Sequence, residues 1–218
     1  MSECILAIET SSDTGSVALW KGREAVADES FSCGKSRNSE LFPVLENVLR
    51  KAGGDLDSII VGVGPGSFNG TRVAIAVAQA IGLHHSCPVV GLMSFHGLPS
   101  VRAGGRLAIV GDARRRTFYY QEAGGGQLVG DVELLDQSAL REKVRVFSGG
   151  VITNDDPERL GFIDQVSGEV PQARALISAW REMDEAGRSE LLSATLEPAY
   201  LRPPYIGKAK ARKRPGMV

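Results

Sequence analysis

The sequence predicts an α/β protein made of two similar halves, and three observations carry that prediction. Short apolar, β-rich runs recur along the chain, among them "CILAIET", "DSIIVGVG", "PVVGLMS" and "RLAIVGD". Segments with apolar residues at helical spacing lie between them. The order also repeats: in each half a meander comes first, followed by alternating helix and strand. At 218 residues the chain is long enough for one large domain or two small ones packed together. Its 43% hydrophobic and 23% charged residues are those of an ordinary globular protein, so the apolar runs are core material.

The elements follow in order. "CILAIET" reads as a strand and "SSDTG" as turn chemistry. "SVALWKG" and "EAVADESF" alternate in polarity and complete a three-stranded antiparallel meander. In "SRNSELFPVLENVLRKAG", Ser39 is placed to cap a helix. Its apolar stripe is Leu41, Leu45, Val48 and Ala52, widened by Phe42, Val44 and Leu49, and Gly53-Gly54 stops it. "DSIIVGVG" is continuously apolar, as in a strand covered on both faces. A glycine-rich turn and a second helix follow, then the buried strand "PVVGLMS". In the second half, "RLAIVGDARRRTFYYQEAGGG" gives two strands joined by a polar turn. "SALREKV" gives a short helix, "RVFSGG" a strand with a glycine exit, and "QARALISAWREMDEAG" an amphipathic helix. The Gly, Pro and Ser content of "GLPSVRAGG" marks a boundary that divides residues 1–100 from 101–206.

The stretch "VGVGPGSFNGTRVAIAVAQAIGL" is laid out like a phosphate-binding loop. It fails the two standard tests. A P-loop needs GxxxxGK[ST], but Asn69 stands at the second glycine and no lysine follows. A dinucleotide fingerprint needs GxGxxG, but after Gly64 and Gly66 the third glycine, Gly70, comes one residue late. Gly64 and Gly66 permit backbone angles closed to other residues, and Pro65 stiffens the turn. Ser67 or Asn69 is placed to cap the helix. The loop is thus either a tight strand-to-helix turn or an anion site at a helix N-terminus. Beyond it, Gly70, Ala74, Ala78 and Gly82 recur every four residues and share one helix face, flanked by Val73, Ile75, Val77 and Ile81. Such a stripe serves either packing within the chain or docking of another helix.

Catalytic groups are scarce. His84, His85 and His96 form no HxxxH or HExxH pattern, and no GxSxG elbow exists. Glu9 and Asp112 are the carboxylates best placed at strand ends, as turn-capping groups or as catalysts. Cys4, Cys33 and Cys87 are odd in number and far apart, which suits a reducing compartment rather than disulfides or a zinc knuckle. "MSECILAIET" has an acid at Glu3 and no basic region, so no secretory signal is expected. No apolar run approaches the ~18 residues of a membrane span, and a cytoplasmic location is expected. The net charge is −1, but "KAKARKR" carries Lys208, Lys210, Arg212, Lys213 and Arg214; removing those five takes the charge to −6. A mildly acidic body therefore carries a basic tail, and the composition of 207–218 predicts disorder.

Four blocks carry a resemblance: "ILAIETSSDTGSVAL", "IIVGVGPGSFNGTRVAIAVAQAIGL", "GDARRRTFYY" and "EPAYLRPP", spanning residues 5–204. In this order they resemble the TsaB (YeaZ) family. The resemblance implies the duplicated actin-like ATPase (ASKHA) fold, two RNase H-like mixed-sheet subdomains with flanking helices. It implies a part in making threonylcarbamoyladenosine beside the anticodon of tRNA. In that family the catalyst is TsaD, a metal-binding paralogue, and TsaE is an ATPase. The chain itself is then a catalytically degenerate scaffold subunit without metal or cofactor. It pairs with TsaD as a heterodimer, joins TsaE in a larger complex and meets tRNA through that complex. In isolation it forms a homodimer. The glycine turn (Gly64, Pro65, Gly66 and Gly70) becomes a structural loop. The partner surface falls on helices at 39–52 and 69–84, through Leu41, Val44, Leu45, Val48, Val73, Ala74, Val77 and Ala78. Asn69 and Thr71 depart from the family's GPGSFTGLR, and Lys35 stands near a place where the family has histidine. Two other classes remain open: a lone ATP-dependent enzyme using Glu9, Asp13 and the glycine turn, and an RNA-binding module driven by the tail.

Overall fold

The computed structural model describes residues 3–33 and 37–201. Strands β1 (Cys4–Glu9), β2 (Thr14–Lys21) and β3 (Glu24–Ser32) form the expected antiparallel meander. Helix α1 (Arg37–Ala52) leads to β4 (Ser58–Gly62), which pairs parallel with β1. Helix α2 (Phe68–His85) leads to β5 (Val89–Leu92), parallel to β4. Every residue of β1 and of β4 is buried, because both strands run inside the sheet β3-β2-β1-β4-β5.

A 3₁₀ turn (Ser94–Gly97) and the short helix α3 (Pro99–Arg102) connect to the second sheet. It comprises β6 (Leu107–Asp112), β7 (Phe118–Gly124), β8 (Gln127–Leu135), β9 (Gly150–Thr153) and β10 (Ser167–Gly168), with α4 (Gln137–Val146) after β8. Its order, β8-β7-β6-β9-β10, is that of the first sheet strand for strand. In each sheet the leading strand pairs antiparallel with the second and parallel with the fourth. The fold is therefore the duplicated mixed-sheet α/β arrangement expected of the actin-like class.

Each sheet is covered on both faces. Helices α1 and α2 close one face of the first sheet over Leu6, Ile8, Val17 and Leu19. Helix α5 (Ala173–Glu182) closes the other, over Ile5, Ala7, Ile60 and Val90. Leu176, Ile177 and Trp180 of α5 are almost wholly buried there. Each such side chain contributes roughly 1.5–3 kcal/mol. Residues 173–193, grouped by the sequence with the second half, thus pack on the first sheet. The Ser16 hydroxyl fixes the start of α5 by accepting the Ala173 N–H at 2.9 Å.

Three sequence expectations are corrected. "RVFSGG" is not a strand: α4 runs through Val146, and β9 begins at Gly150. Asp136 caps α4 by accepting the Ala139 N–H at 2.9 Å, and Val144 and Phe147 pack on the sheet. "QARALISAWREMDEAG" is two helices, because Asp184 accepts the Gly187 N–H at 2.8 Å and starts α6 (Glu185–Ser193). Strand β8 was not expected. It is a sheet edge, and Gly130, at φ +70°, interrupts its alternation.

Candidate functional site: a helix-pair groove and the interlobe turn

The glycine turn joins β4 to α2. Gly64 has φ +92°, and the Gly64–Pro65 peptide is cis. The Gly64 N–H donates to Ser94 Oγ at 3.0 Å, and the Ser94 N–H donates back to Gly64 O at 2.7 Å. The Ser67 N–H donates to Ser11 O at 2.6 Å. Ser67 Oγ accepts the Gly70 N–H at 3.2 Å, so Ser67 and not Asn69 is the helix cap. Asn154, from the second lobe, donates through Nδ2 to Pro65 O at 3.0 Å. A Cβ on Gly66 would fall 2.2 Å from Ser11 O, and one on Gly70 2.2 Å from Thr10 O. These two glycines are required by the close approach of the β1–β2 turn. Gly64, Pro65, Gly66 and Gly70 thus sit in a tightly knitted joint.

The carboxylates singled out in the sequence separate. Glu9 is wholly buried, and its Oε1 accepts the Ser11 N–H at 2.6 Å. Burial pushes its carboxyl above the usual range, against weaker opposing hydrogen bonds from Ser94 and Ser11. A group so enclosed does not face the space between the lobes. Asp112 does line that space, where it accepts the Arg114 N–H at 2.7 Å. It braces a turn in which Arg114, Arg115 and Arg116 all have positive φ. Asp13 is exposed on the β1–β2 turn. Among the described residues no group of three or more His, Cys, Asp or Glu side chains could hold a metal ion.

The eight residues expected to meet a partner also separate. Leu41, Leu45, Val48, Ala74 and Ala78 are buried in the protein's own core. Val44, Val73 and Val77 are half-buried against that core. The small-residue stripe faces inward: a Cβ on Gly82 would lie 2.4 Å from Val89 Cγ2 on β5. Its role is to let α2 lie close on its own sheet. What α1 and α2 leave outside is a groove of about 550 Å³, floored by Leu45 and Val77. Phe42, Leu49, Ala80 and Ile81 line its sides, with Glu46 and Arg50 at one rim. Phe42 is 52% exposed, and Leu83, further along α2, is 84% exposed. The signal was present in the sequence, because Phe42, Leu49 and Ile81 widen the apolar stripes beyond what one packed face needs. Lys35 and the 207–218 tail lie outside the described residues.

The comparisons with known proteins now fit this geometry. The family described as "TsaD: tRNA N6-adenosine threonylcarbamoyltransferase" matches residues 33–145, just over half of the chain. The tRNA threonylcarbamoyladenosine biosynthesis protein TsaB of Escherichia coli (strain K12) is 29% identical over 126 residues, 54% of each chain. TsaB of Buchnera aphidicola subsp. Schizaphis graminum is 36% identical over 95 residues, 42% of this chain and 45% of its own. The chain belongs to the TsaB/YeaZ family of TsaD-like proteins. It spans about half the length of the curated TsaB relatives that it matches. Among solved structures, it is similar to an uncharacterized protein with similarity to peptidase YEAZ from Pseudomonas aeruginosa. The TM-score is 0.69 at 25% identity, over 92% of this chain and 100% of that one. YeaZ from Pseudomonas aeruginosa shares the fold, with a TM-score of 0.65 at 24% identity over 81% of this chain and 90% of that one. Among the described residues no helix is long and apolar enough to cross a membrane.

Proposed function

We propose that this TsaB-type chain is a cytoplasmic, non-catalytic scaffold subunit in the formation of threonylcarbamoyladenosine beside the anticodon of tRNA. It binds and activates a TsaD threonylcarbamoyltransferase, works with the TsaE ATPase in a larger complex and reaches tRNA through it. The observation that carries this reading is the groove between α1 and α2. Phe42, Leu49, Ala80 and Ile81 form a concave apolar strip on the outside of the first lobe. Burying such surface yields roughly 25 cal/mol per Å². An antiparallel pair of apolar helices from a partner fits it. Without that partner a second copy of the chain covers the strip, so the free protein is a homodimer. The buried, raised Glu9 supports the absence of catalysis, because it is sealed from any substrate between the lobes. The first lobe carries the groove and the second braces the glycine turn through Asn154, while α5, from beyond the division read at residue 100, completes the first lobe.

Reconstitution tests it. TsaD, TsaE, tRNA, ATP and a preformed activated donor, the threonylcarbamoyl adenylate, are combined with and without this chain, and the modified nucleoside is measured by mass spectrometry. Product is expected only when the chain and TsaD are both present. Product from the chain without TsaD, or undiminished product without the chain, would overturn the proposal.

A further inference from the structure

At the other end of α2 from Leu83, an aromatic surface lies open apart from the helix-pair groove. Phe68, the first residue of α2, is 52% exposed, and Tyr200 is 41% exposed. Their ring centres are 5.8 Å apart, with the planes tilted by 41°. The exposed Arg72 ties them together. Its guanidinium sits 4.1 Å from the centre of the Phe68 ring, and its Nε donates to the Tyr200 hydroxyl at 2.9 Å. Those partners, two rings and a phenol hydroxyl, carry no charge. The three side chains thus hold one another in a fixed, exposed platform of rings and one cationic plane.

Phe68 and Tyr200 line the cleft between the lobes, and Arg114 lines it from the second lobe. Arg115 and Arg116 continue the same β6–β7 turn, exposed and, like Arg114, at positive φ. Glycine takes such angles without strain. Arginine at all three positions is therefore explained by its side chains, not by its backbone. Asp13, Asp155 and Asp156 also line the cleft and repel phosphate. A duplex would bring two phosphate backbones against them. A single strand avoids them by giving its bases to the rings and its phosphates to the arginine turn. Proteins recognise unpaired RNA in this way, stacking bases on aromatic rings and guanidinium planes and meeting the backbone with cations.

We propose that Phe68, Tyr200 and Arg72 stack an unpaired base of the substrate RNA, and that the turn Arg114–Arg116 holds phosphates of the same strand. The chain then touches tRNA itself, which deepens the reading above and rests on it for the identity of the RNA. Stacking supplies a contact that tolerates any base. Each arginine–phosphate contact releases a counterion and makes the binding salt-dependent. The first lobe thereby carries two separate surfaces, the helix-pair groove for protein and the platform for RNA.

Titration of the isotopically labelled full-length chain with an unmodified anticodon stem-loop RNA, followed by amide NMR shifts, tests this without TsaD. The signals of Phe68, Arg72, Thr117 and Tyr200 are expected to move together. Phe68→Ala should weaken the binding ~10-fold or more, whereas Phe68→Trp should keep it, since any aromatic ring can stack. Arg116→Gln should lower the salt dependence by about one phosphate contact. Thermal melts of these variants should match the parent, because both side chains are exposed. A blunt RNA duplex should move the platform signals little. Three results would overturn the proposal: shifts absent or confined to residues 207–218, a duplex bound as well as the stem-loop, or Phe68→Ala binding RNA like the parent. In the last case, loss of the TsaD complex by Phe68→Ala would make the rings a protein contact instead. If the chain fails to stimulate TsaD while the shifts map to the platform, the scaffold reading fails and the RNA contact stands.

Discussion

A Cβ on Gly62 would fall 1.8 Å from Oε2 of Glu9. Strands β1 and β4 pair parallel up to Ile8 and Val61, and the next two residues share one small space under Ser94. Residue 62 has no side chain because the Glu9 carboxyl fills that space. Gly62→Ala should therefore act as overpacking of a closed core, which typically costs ~1–3 kcal/mol. Chemical denaturation measures the cost. A Gly62→Ala protein as stable as the parent would mean that Glu9 is free to move.

The same enclosure gives a pH signature. Burial raises the Glu9 carboxyl above its ordinary value of 4.5. The native state thus holds its proton more tightly than the unfolded chain. The stability this confers is complete below the unfolded value and is lost as pH rises through the folded one. Glu9→Gln lacks that loss. The stability of Glu9→Gln relative to the parent should therefore improve as pH climbs above 4.5. Denaturation curves across that range check it, and a pH-independent difference would contradict the raised carboxyl.

His96 has the opposite sign. Burial, helped by the nearby Arg102 charge, lowers it from 6.5 to about 4. The unfolded chain binds that proton first, so stability contributed by neutral His96 is lost as pH falls from 6.5 towards about 4. His96→Gln should flatten this part of the pH–stability profile. An unchanged slope there would place the acid sensitivity elsewhere.

Asp184 separates α5 from α6 through one bond to the Gly187 N–H at 2.8 Å. Asp184→Ala should cost about 1 kcal/mol, the usual value of a lost N-cap. Hydrogen exchange should quicken over residues 185–193 and not over the buried α5. Equal quickening in both helices would mean that they unfold as one unit.

Much of the fold was legible because its signals are local. The continuous apolar run at Ser58–Gly62 and the apolar stripe ending at Gly53-Gly54 each name their element without tertiary help, although Ser39, expected as the cap, lies inside α1, which begins at Arg37. Strand β8 was hidden because an edge strand needs no buried alternation, and Gly130 breaks what there is. The site was half legible. Periodicity identified α1 and α2 as apolar and small-faced, but the moment of a helix does not say whether its stripe meets its own sheet or another molecule. Val89 and Ile59, on the strands beneath, close on Gly82, as Thr10 closes on Gly70, and such tertiary contacts turn the stripe inward. Ala78, wholly buried, is therefore a core position. Ala78→Arg should prevent stable folding, because a charge buried without a partner is strongly unfavourable. Circular dichroism and thermal melting would show this; a folded, stable Ala78→Arg protein would contradict the inward stripe.

Ala80, one turn away from Val77 and on the open side of α2, lines the groove. The account predicts that Ala80→Arg leaves the fold intact, since exposed substitutions usually stay within ±0.5 kcal/mol. A long charged side chain there blocks close helix approach. Size-exclusion chromatography with light scattering, on this variant mixed with the proposed partner TsaD, is the most direct test of the groove. The account predicts a well-folded monomer that forms no complex with TsaD, whereas the parent protein forms one. A folded Ala80→Arg protein that joins TsaD as readily as the parent would contradict it.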